Sequence, residues 1–265
     1  MIGSMWKDRK VAWILAFDNF RSRFAGSYFG ILWAFIQPMV TVFVYWFIFE
    51  VGFKAGQSMD VPFVLYLVVG IVPWFFIVES LSGGTQSLIE YSYLVKKVVF
   101  NIDIIPLVKI LAALFIHMFF LIIMFVLLLL YGYMPTVHIA QLPYIFVGLA
   151  LLIIGMVYLT ASVNVFFRDV TQFVNVIVIQ LGVWLTPIMW DAESMLADKP
   201  VILKILKLNP VYYIVQTCRD SLLYHEWTVL KHPLWSVYFW CVTVVMAVIG
   251  LSTFKRLKVH YADVL

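Results

Sequence analysis

Charged residues are scarce in this sequence: Asp, Glu, Lys and Arg make up 12% of its 265 residues. A soluble domain carries about 25%, so a water-exposed globule of this size is excluded. Cysteine is nearly absent, with only Cys218 and Cys241. Cys241 lies inside an apolar block, so a disulfide scaffold is excluded as well. There is no G-x-x-x-x-G-K-[ST] phosphate loop, no H-E-x-x-H pair and no Cys/His cluster of metal-ligand spacing. What is abundant is hydrophobic. Apolar residues reach 64%, aromatics 18%, and the mean hydropathy is +1.01. They come in long blocks rather than alternating with polar residues, which excludes a transmembrane barrel. The remaining class is a polytopic α-helical membrane protein. The net charge of +4 reflects Lys and Arg flanking membrane segments rather than a nucleic-acid surface.

Charge-free intervals map the spans, because a bilayer core of about 30 Å needs about 20 apolar residues in a helix. They predict span 1 over 30–50, span 2 over 62–80, span 3 over 105–131, span 4 over 143–166, span 5 over 170–190 and span 6 over 232–254. The stretch 110–167 is uncharged throughout, and Gly132, Pro135, His138, Gln141 and Pro143 divide it into two spans. Drawn with six spans, the chain collects Lys7, Arg9, Lys10, Arg21, Arg23, Lys96, Lys97, Arg168, Lys255, Arg256 and Lys258 on one side. The positive-inside rule makes that side cytoplasmic, together with both termini. No cleaved signal is expected.

Three segments fall outside the spans. In residues 1–29, Trp6, Trp13, Phe17, Phe20 and Phe24 recur at helical spacing among charges, the pattern of an amphipathic interface helix. Residues 86–103 are partly apolar and carry Glu90, Lys96, Lys97 and Asp103, which suits a cytoplasmic helix docking on a soluble partner. Residues 191–231 hold the run Val201–Leu208 between Pro200 and Pro210. The run is too apolar for water and is expected to dip back into the membrane from outside. The tail is 255–265.

Chemical motifs are few. Leu81-Ser82-Gly83-Gly84-Thr85-Gln86 looks like the signature loop of an ATPase, but without a phosphate loop it is read as closing span 2. The carboxylates are scattered at span ends, and Glu90 and Asp103 are the one cytoplasmic pair that an embedded enzyme would use. His117 stands alone in span 3 and is read as a core histidine. Mid-span ionisable residues of the kind that couple transport to ions are nearly missing. No catalytic, cofactor or metal site is therefore assigned. Aromatics fill the gap. At 100° per residue Tyr28, Phe35 and Trp46 share one stripe of span 1, and Phe29, Trp33, Phe43 and Phe47 share the next. Span 5 adds Asn175, Gln180 and Trp184. Aromatic faces pack on the C–H faces of sugars, so these residues are candidates for lining a glycan path.

Several stretches, in order, resemble the membrane subunits of ABC-2-type polysaccharide exporters, the O-antigen and teichoic-acid export permeases. Residues 23–33 (RFAGSYFGILW) with Gln37-Pro38 resemble the start of that family's span 1. Phe166-Phe167-Arg168-Asp169-Val170 is similar to its turn before span 5, and Pro187-Ile188-Met189-Trp190 to the end of span 5. Asn209-Pro210-Val211-Tyr212-Tyr213 with Arg219 resembles its external re-entrant hairpin. The first 20 residues match no pattern of the family.

The resemblance implies one transmembrane domain over 1–265, acting as a homodimer with two copies of a cytoplasmic ATPase that holds ATP and Mg. Spans 1 and 5 of both copies would form the channel. Residues 86–103 would be the coupling helix, with Glu90, Tyr91, Tyr93 and Asp103 meeting the ATPase. Asn209, Pro210, Tyr212, Tyr213 and Arg219 would form the external gate. The substrate would be a polysaccharide on a polyprenyl-diphosphate lipid in the bacterial inner membrane, O-antigen first among the polymers. Arg21, Arg23, Lys96 and Lys97 are the candidates for its diphosphate. The alternatives are an ABC-2 permease for a small hydrophobic compound or lipid, and a membrane-embedded enzyme acting on lipid-linked sugars.

Overall fold

The structure is a computed structural model that describes residues 7–22, 26, 28–96 and 100–265. Helices make up most of the described residues, and no strand occurs among them. Five helices are long and apolar enough to cross a membrane: α2 (Gly30–Gly52), α3 (Phe63–Glu90), α5 (Ile105–Leu130), α6 (Gln141–Asn164) and α12 (Pro233–Leu257). A sixth apolar helix, α7 (Asp169–Leu185), is shorter. The helix expected at the membrane interface is α1 (Arg9–Ser22), and α4 (Ser92–Val95) follows α3. Between α7 and α12 lie α8 (Ala192–Met195), α9 (Pro200–Lys207), α10 (Pro210–Arg219) and α11 (Thr228–Lys231). The chain ends on α13 (Tyr261–Val264).

α3 is the axis of the bundle. In its most apolar stretch 78% of residues are buried, against 6% for α2. α5 and α6 flank it, α10 crosses it near its N-terminal end, and α12 lies on the far side of α6. Glycines set these distances. A Cβ on Gly84 would collide with Val157, so α3 and α6 touch there. A Cβ on Gly155 would lie 2.7 Å from the Met246 carbonyl oxygen and the Ala247 nitrogen, and one on Gly250 would meet the Gly155 backbone. Small residues let membrane helices approach at the backbone, where packing and not hydrophobicity drives association.

Several expected boundaries move. Span 2 does not close at Gly83-Gly84. The helix continues to Glu90 because Gly84 is needed against α6 and Gly83 faces Lys109. Residues 86–103 are consequently not one helix. Their first part ends α3, the backbone turns at Tyr91, and among the described residues beyond it only the four of α4 are helical before a 3₁₀ turn at Ile102–Ile104. Span 5 ends at Leu185 rather than 190. Thr186 is extended (φ −101°, ψ 114°) ahead of Pro187, as a residue preceding proline prefers. The interface helix also differs. It packs on α5 through Ala12 and Ala16, against Ile104, Val108 and Ala112. Trp13 and Phe17 reach only the edge of Phe115, at 5.1 and 6.0 Å. Trp6 and Phe24 lie outside the described residues.

Candidate functional site: a path beside α3

Three cavities run in series along the exposed side of α3. The first, of about 310 Å³, lies between α1, the C-terminal half of α3 and the start of α5. Asn19, Glu79, Ser82, Gln86, Glu90 and Lys109 make it polar. The second, about 580 Å³, lies between α2, α3 and α7 and shares Glu79, Ser82 and Ile116 with the first. Gln37, Thr41 and Gln180 are its polar groups, and Tyr45, Trp74 and Trp184 its large aromatics. The third, about 530 Å³, shares Trp184 with the second and is lined by Phe49, Phe53, Trp190 and Asp191. Neighbouring cavities share side chains in their walls, so the three follow one another along α3.

Local backbone explains the room. Both helices that face α3 here contain a π-helical stretch, Phe47–Gly52 in α2 and Val174–Leu181 in α7. Such wide turns are rare and recur at functional sites. Pro38 lies within α2, where it removes one ladder hydrogen bond, and the Thr41 hydroxyl donates to the Gln37 carbonyl at 3.0 Å. Gly182 faces Trp74, where a Cβ would approach the indole to 2.7 Å. This is how α7 comes close enough for Gln180 and Trp184 to share the cavity.

The expected path residues divide. Gln180 and Trp184 line it. Asn175, on the same helix, is partly exposed and lines none of the three cavities. Trp33, Phe43 and Phe47 are exposed on α2, with Phe43 stacked on Phe47 at 6.4 Å. Tyr28 precedes the helix and is almost fully exposed. Trp46 packs against the core. Phe35 turns away from the path onto Phe119, with centroids 4.1 Å apart, so it is a packing residue between α2 and α5. The helical step tells which side chains share a face but not what that face meets: Phe35 and Trp46, both in the regular stretch Trp33–Trp46, pack inward, while Trp33, Phe43 and Phe47 are exposed. Gln37, Thr41 and Glu79 were missed. Gln37 and Thr41 are one turn apart, and Glu79, Ser82, Gln86 and Glu90 follow at helical spacing. That polar stripe is readable only if span 2 is allowed to run on to residue 90.

The expected coupling set is largely committed to internal contacts. Lys109 pairs with Glu90 and lies 5.5 Å over the Tyr91 ring. Asn19 donates to the Tyr91 hydroxyl at 2.9 Å. Asp103 is 3% exposed and pairs with Lys258 at 2.6 Å, while its backbone carbonyl accepts from Tyr158 at 2.7 Å. Burial leaves Asp103 without a surface to offer a partner. Tyr93 is 58% exposed. Glu90 and Asp103 thus lie in two separate ion pairs, not in one acid–base pair. Of the cations expected at a diphosphate, Arg21 and Lys96 are exposed, while Arg23 and Lys97 lie outside the described residues. Among the described residues no group of three or more His, Cys, Asp and Glu could hold a metal ion.

The expected gate residues form a knot rather than a lining. Asn209 caps α10 and donates to the Thr186 hydroxyl at 2.8 Å. Pro210 takes the first position of α10, where its missing N–H costs no ladder bond. Tyr212 packs edge-on against Trp235. Tyr213 donates to Ser236 at 2.8 Å and stacks on Phe239 at 4.6 Å. Arg219 is fully buried. Its guanidinium donates to the carbonyls of Pro187 and Ile188 at 2.8 and 2.7 Å and to the Tyr66 hydroxyl at 2.9 Å, and lies 3.5 Å from the Tyr66 ring. α3, the end of α7 and α10 are joined at this one side chain. Beside it, burial pushes the Asp220 carboxyl above its ordinary range, opposed by hydrogen bonds from Thr228 and Gln216.

Five helices long and apolar enough to cross a membrane, with a shorter sixth, make this a multi-pass membrane protein. Comparison with known families gives the class. Residues 10–223 match the ABC-2 type transporter family, and the chain belongs to that family as a multi-pass membrane permease. Two relatives refine the comparison. The chain is 27% identical over 254 residues to the O-antigen export system permease protein RfbA of Klebsiella pneumoniae, covering 95% of this chain and 93% of that one. It is 25% identical over 264 residues to the protein of the same name from Myxococcus xanthus, covering 99% and 98%.

Proposed function

We propose that this chain, as one transmembrane domain over 1–265, is the channel subunit of an ATP-driven exporter. Its substrate is a polyprenyl-diphosphate-linked polysaccharide, O-antigen first, which crosses the bacterial inner membrane. The carrying observation is the row of three adjoining cavities beside α3, mixed polar and aromatic as a sugar chain requires. Full-length similarity to two O-antigen export permeases supports the substrate class. α2 and α7 face this series while α2 stays almost unburied, so a second copy is needed to close it. The working unit in this reading is a homodimer with two cytoplasmic ATPase subunits, which hold ATP and Mg. α7 is the sixth span, both termini are cytoplasmic, and Tyr93 with the turn at 91–96 meets the ATPase. The hairpin 191–231 lies outside and re-enters the membrane as the gate, held by Arg219. Arg21, Arg23, Lys96 and Lys97 attract the diphosphate at the cytoplasmic face.

The test is loss of the gene in its native host. The expected result is a polyprenyl-linked glycan accumulating on the cytoplasmic side, restored to full-rate export by the intact chain and to slower export by Trp184→Ala. Normal surface glycan after deletion, with loss of export of a small hydrophobic compound, assigns the chain to the other kind of ABC-2 cargo. Co-purification in mild detergent reads the partner: a stoichiometric ATPase is expected, and a homo-oligomer without one overturns the ATP-driven reading.

A further inference from the structure

The cavity of about 310 Å³ between α1, α3 and α5 differs from the other two in its walls. α3 gives it Glu79, Ser82, Gln86 and Glu90, which share one face of the helix over about 16 Å. Of the five long helices α3 is the most buried, so a polar stripe facing a void is no packing device. Ser82 and Gln86 are half-buried there, and neither side chain has a hydrogen-bond partner among the described residues. Polar walls inside a membrane bundle need something to bond.

The chemistry of the walls narrows the occupant. The Lys109 ammonium is already on Glu90, and the carboxylates of Glu79 and Glu90 both line the space, which disfavours an anion. The polar stripe disfavours an acyl chain. The Gln86 amide and the Ser82 hydroxyl each donate and accept, and so match sugar hydroxyls, which do the same. Phe20 of α1 adds one aromatic ring for a C–H face. At about 30 Å³ per water the cavity has room for about ten waters, enough for one sugar ring and too little for a run of them. Its surroundings fix the order of the ligand. Arg21 directly precedes Ser22 of this wall, Lys96 lies beyond the turn that follows Glu90, and both are exposed. At the other end Glu79 and Ser82 also line the cavity between α2, α3 and α7.

Resting on the function proposed above, we infer that this cavity binds one uncharged sugar residue, the one bonded to the diphosphate of the carrier lipid. The diphosphate stays outside, at Arg21 and Lys96. Gln86 and Ser82 hold the sugar's hydroxyls, Phe20 takes its C–H face, and the rest of the glycan leaves past Glu79 into the neighbouring cavity. Cargo is thereby selected by its first sugar.

The test titrates the purified full chain in detergent, by calorimetry, with farnesyl diphosphate carrying one glucose, galactose, N-acetylglucosamine or glucuronic acid. The reference probe is the methyl ester of farnesyl diphosphate, which has the diphosphate charge and no sugar. At least one uncharged sugar should bind roughly tenfold or more tighter than the methyl ester, the contribution of two neutral hydrogen bonds, and glucuronic acid should not. Gln86→Leu and, separately, Ser82→Ala should each cut that ratio about threefold or more, with the thermal midpoint as the check on folding. Arg21→Ala should weaken every probe and keep the ratio. Equal binding of the methyl ester and all four sugars overturns the inference. So does a preference that neither Gln86→Leu nor Ser82→Ala lowers, or one led by glucuronic acid. Failure of every probe to bind the folded chain overturns the lipid-linked cargo itself, and the sugar site with it, a result distinct from binding without preference.

Discussion

Arg219 provides the sharpest test of how the hairpin is held. Arg219→Ala removes the donors from the Pro187 and Ile188 carbonyls, at 2.8 and 2.7 Å. Both residues are buried, and neither carbonyl gains water in exchange. A buried acceptor left unmatched costs about 1–3 kcal/mol, so the two together cost about 2–6 kcal/mol. That cost falls on the attachment of α10 and not on the spans, whose packing is unchanged. Cys218, the preceding residue, is a free buried thiol and a natural reporter; Cys241 is exposed and is replaced by Ser. Water-soluble maleimide reaches Cys218 when α10 detaches. A loss of 2 kcal/mol, at 1.4 kcal/mol per factor of ten, raises the labelling rate roughly 30-fold. Arg219→Lys should fall between, since one ammonium keeps the charge but cannot reach Tyr66 and both carbonyls together. If Arg219→Ala labels within about threefold of the parent rate, the guanidinium does not hold the hairpin and the reasoning is wrong.

Three further outcomes are expected. Gly70→Ala places a Cβ 2.7 Å from Nη2 of Arg219; it should raise Cys218 labelling as well, and the Gly70→Ala, Arg219→Ala double variant should be no worse than Arg219→Ala alone, which a double-mutant cycle reads directly. Gly250→Ala drives a methyl into the Gly155 backbone, so overpacking between α6 and α12 should cost about 1–3 kcal/mol and lower the thermal midpoint in detergent, while the neighbouring exposed Ile249→Ala should leave it nearly unchanged. Trp184→Ala should slow glycan export with thermal stability intact, whereas Phe35→Ala, which strips the 4.1 Å contact with Phe119, should do the reverse; equal stability loss in both would remove the distinction between a lining and a packing aromatic.

Much of this molecule is legible in the residues. The long uncharged blocks dictate membrane helices, since nothing else can bury so much apolar surface without polar partners. Helix starts at Ile105, Gln141 and Pro233 fall within two residues of where charge and proline place them. Other features resist reading. Gly83-Gly84 suggests a helix end in one dimension and is a contact point in three. Glu90, Tyr91 and Asp103 look like a surface patch, yet Lys109, Asn19 and Lys258 occupy them from positions 19, 72 and 155 residues away.

The sequence alone therefore determined the solvent: a chain this apolar and this poor in charge must sit in lipid as helices. It also determined the family, through short motifs kept in order. Tertiary structure alone decided which side chains are spent on holding the molecule together and which remain to act. That choice depends on partners distant in sequence, such as the Pro187 and Ile188 carbonyls for Arg219 and the Phe119 ring for Phe35. It depends also on departures from the regular helical step, the π-helical stretches of α2 and α7, which the composition of those segments does not announce.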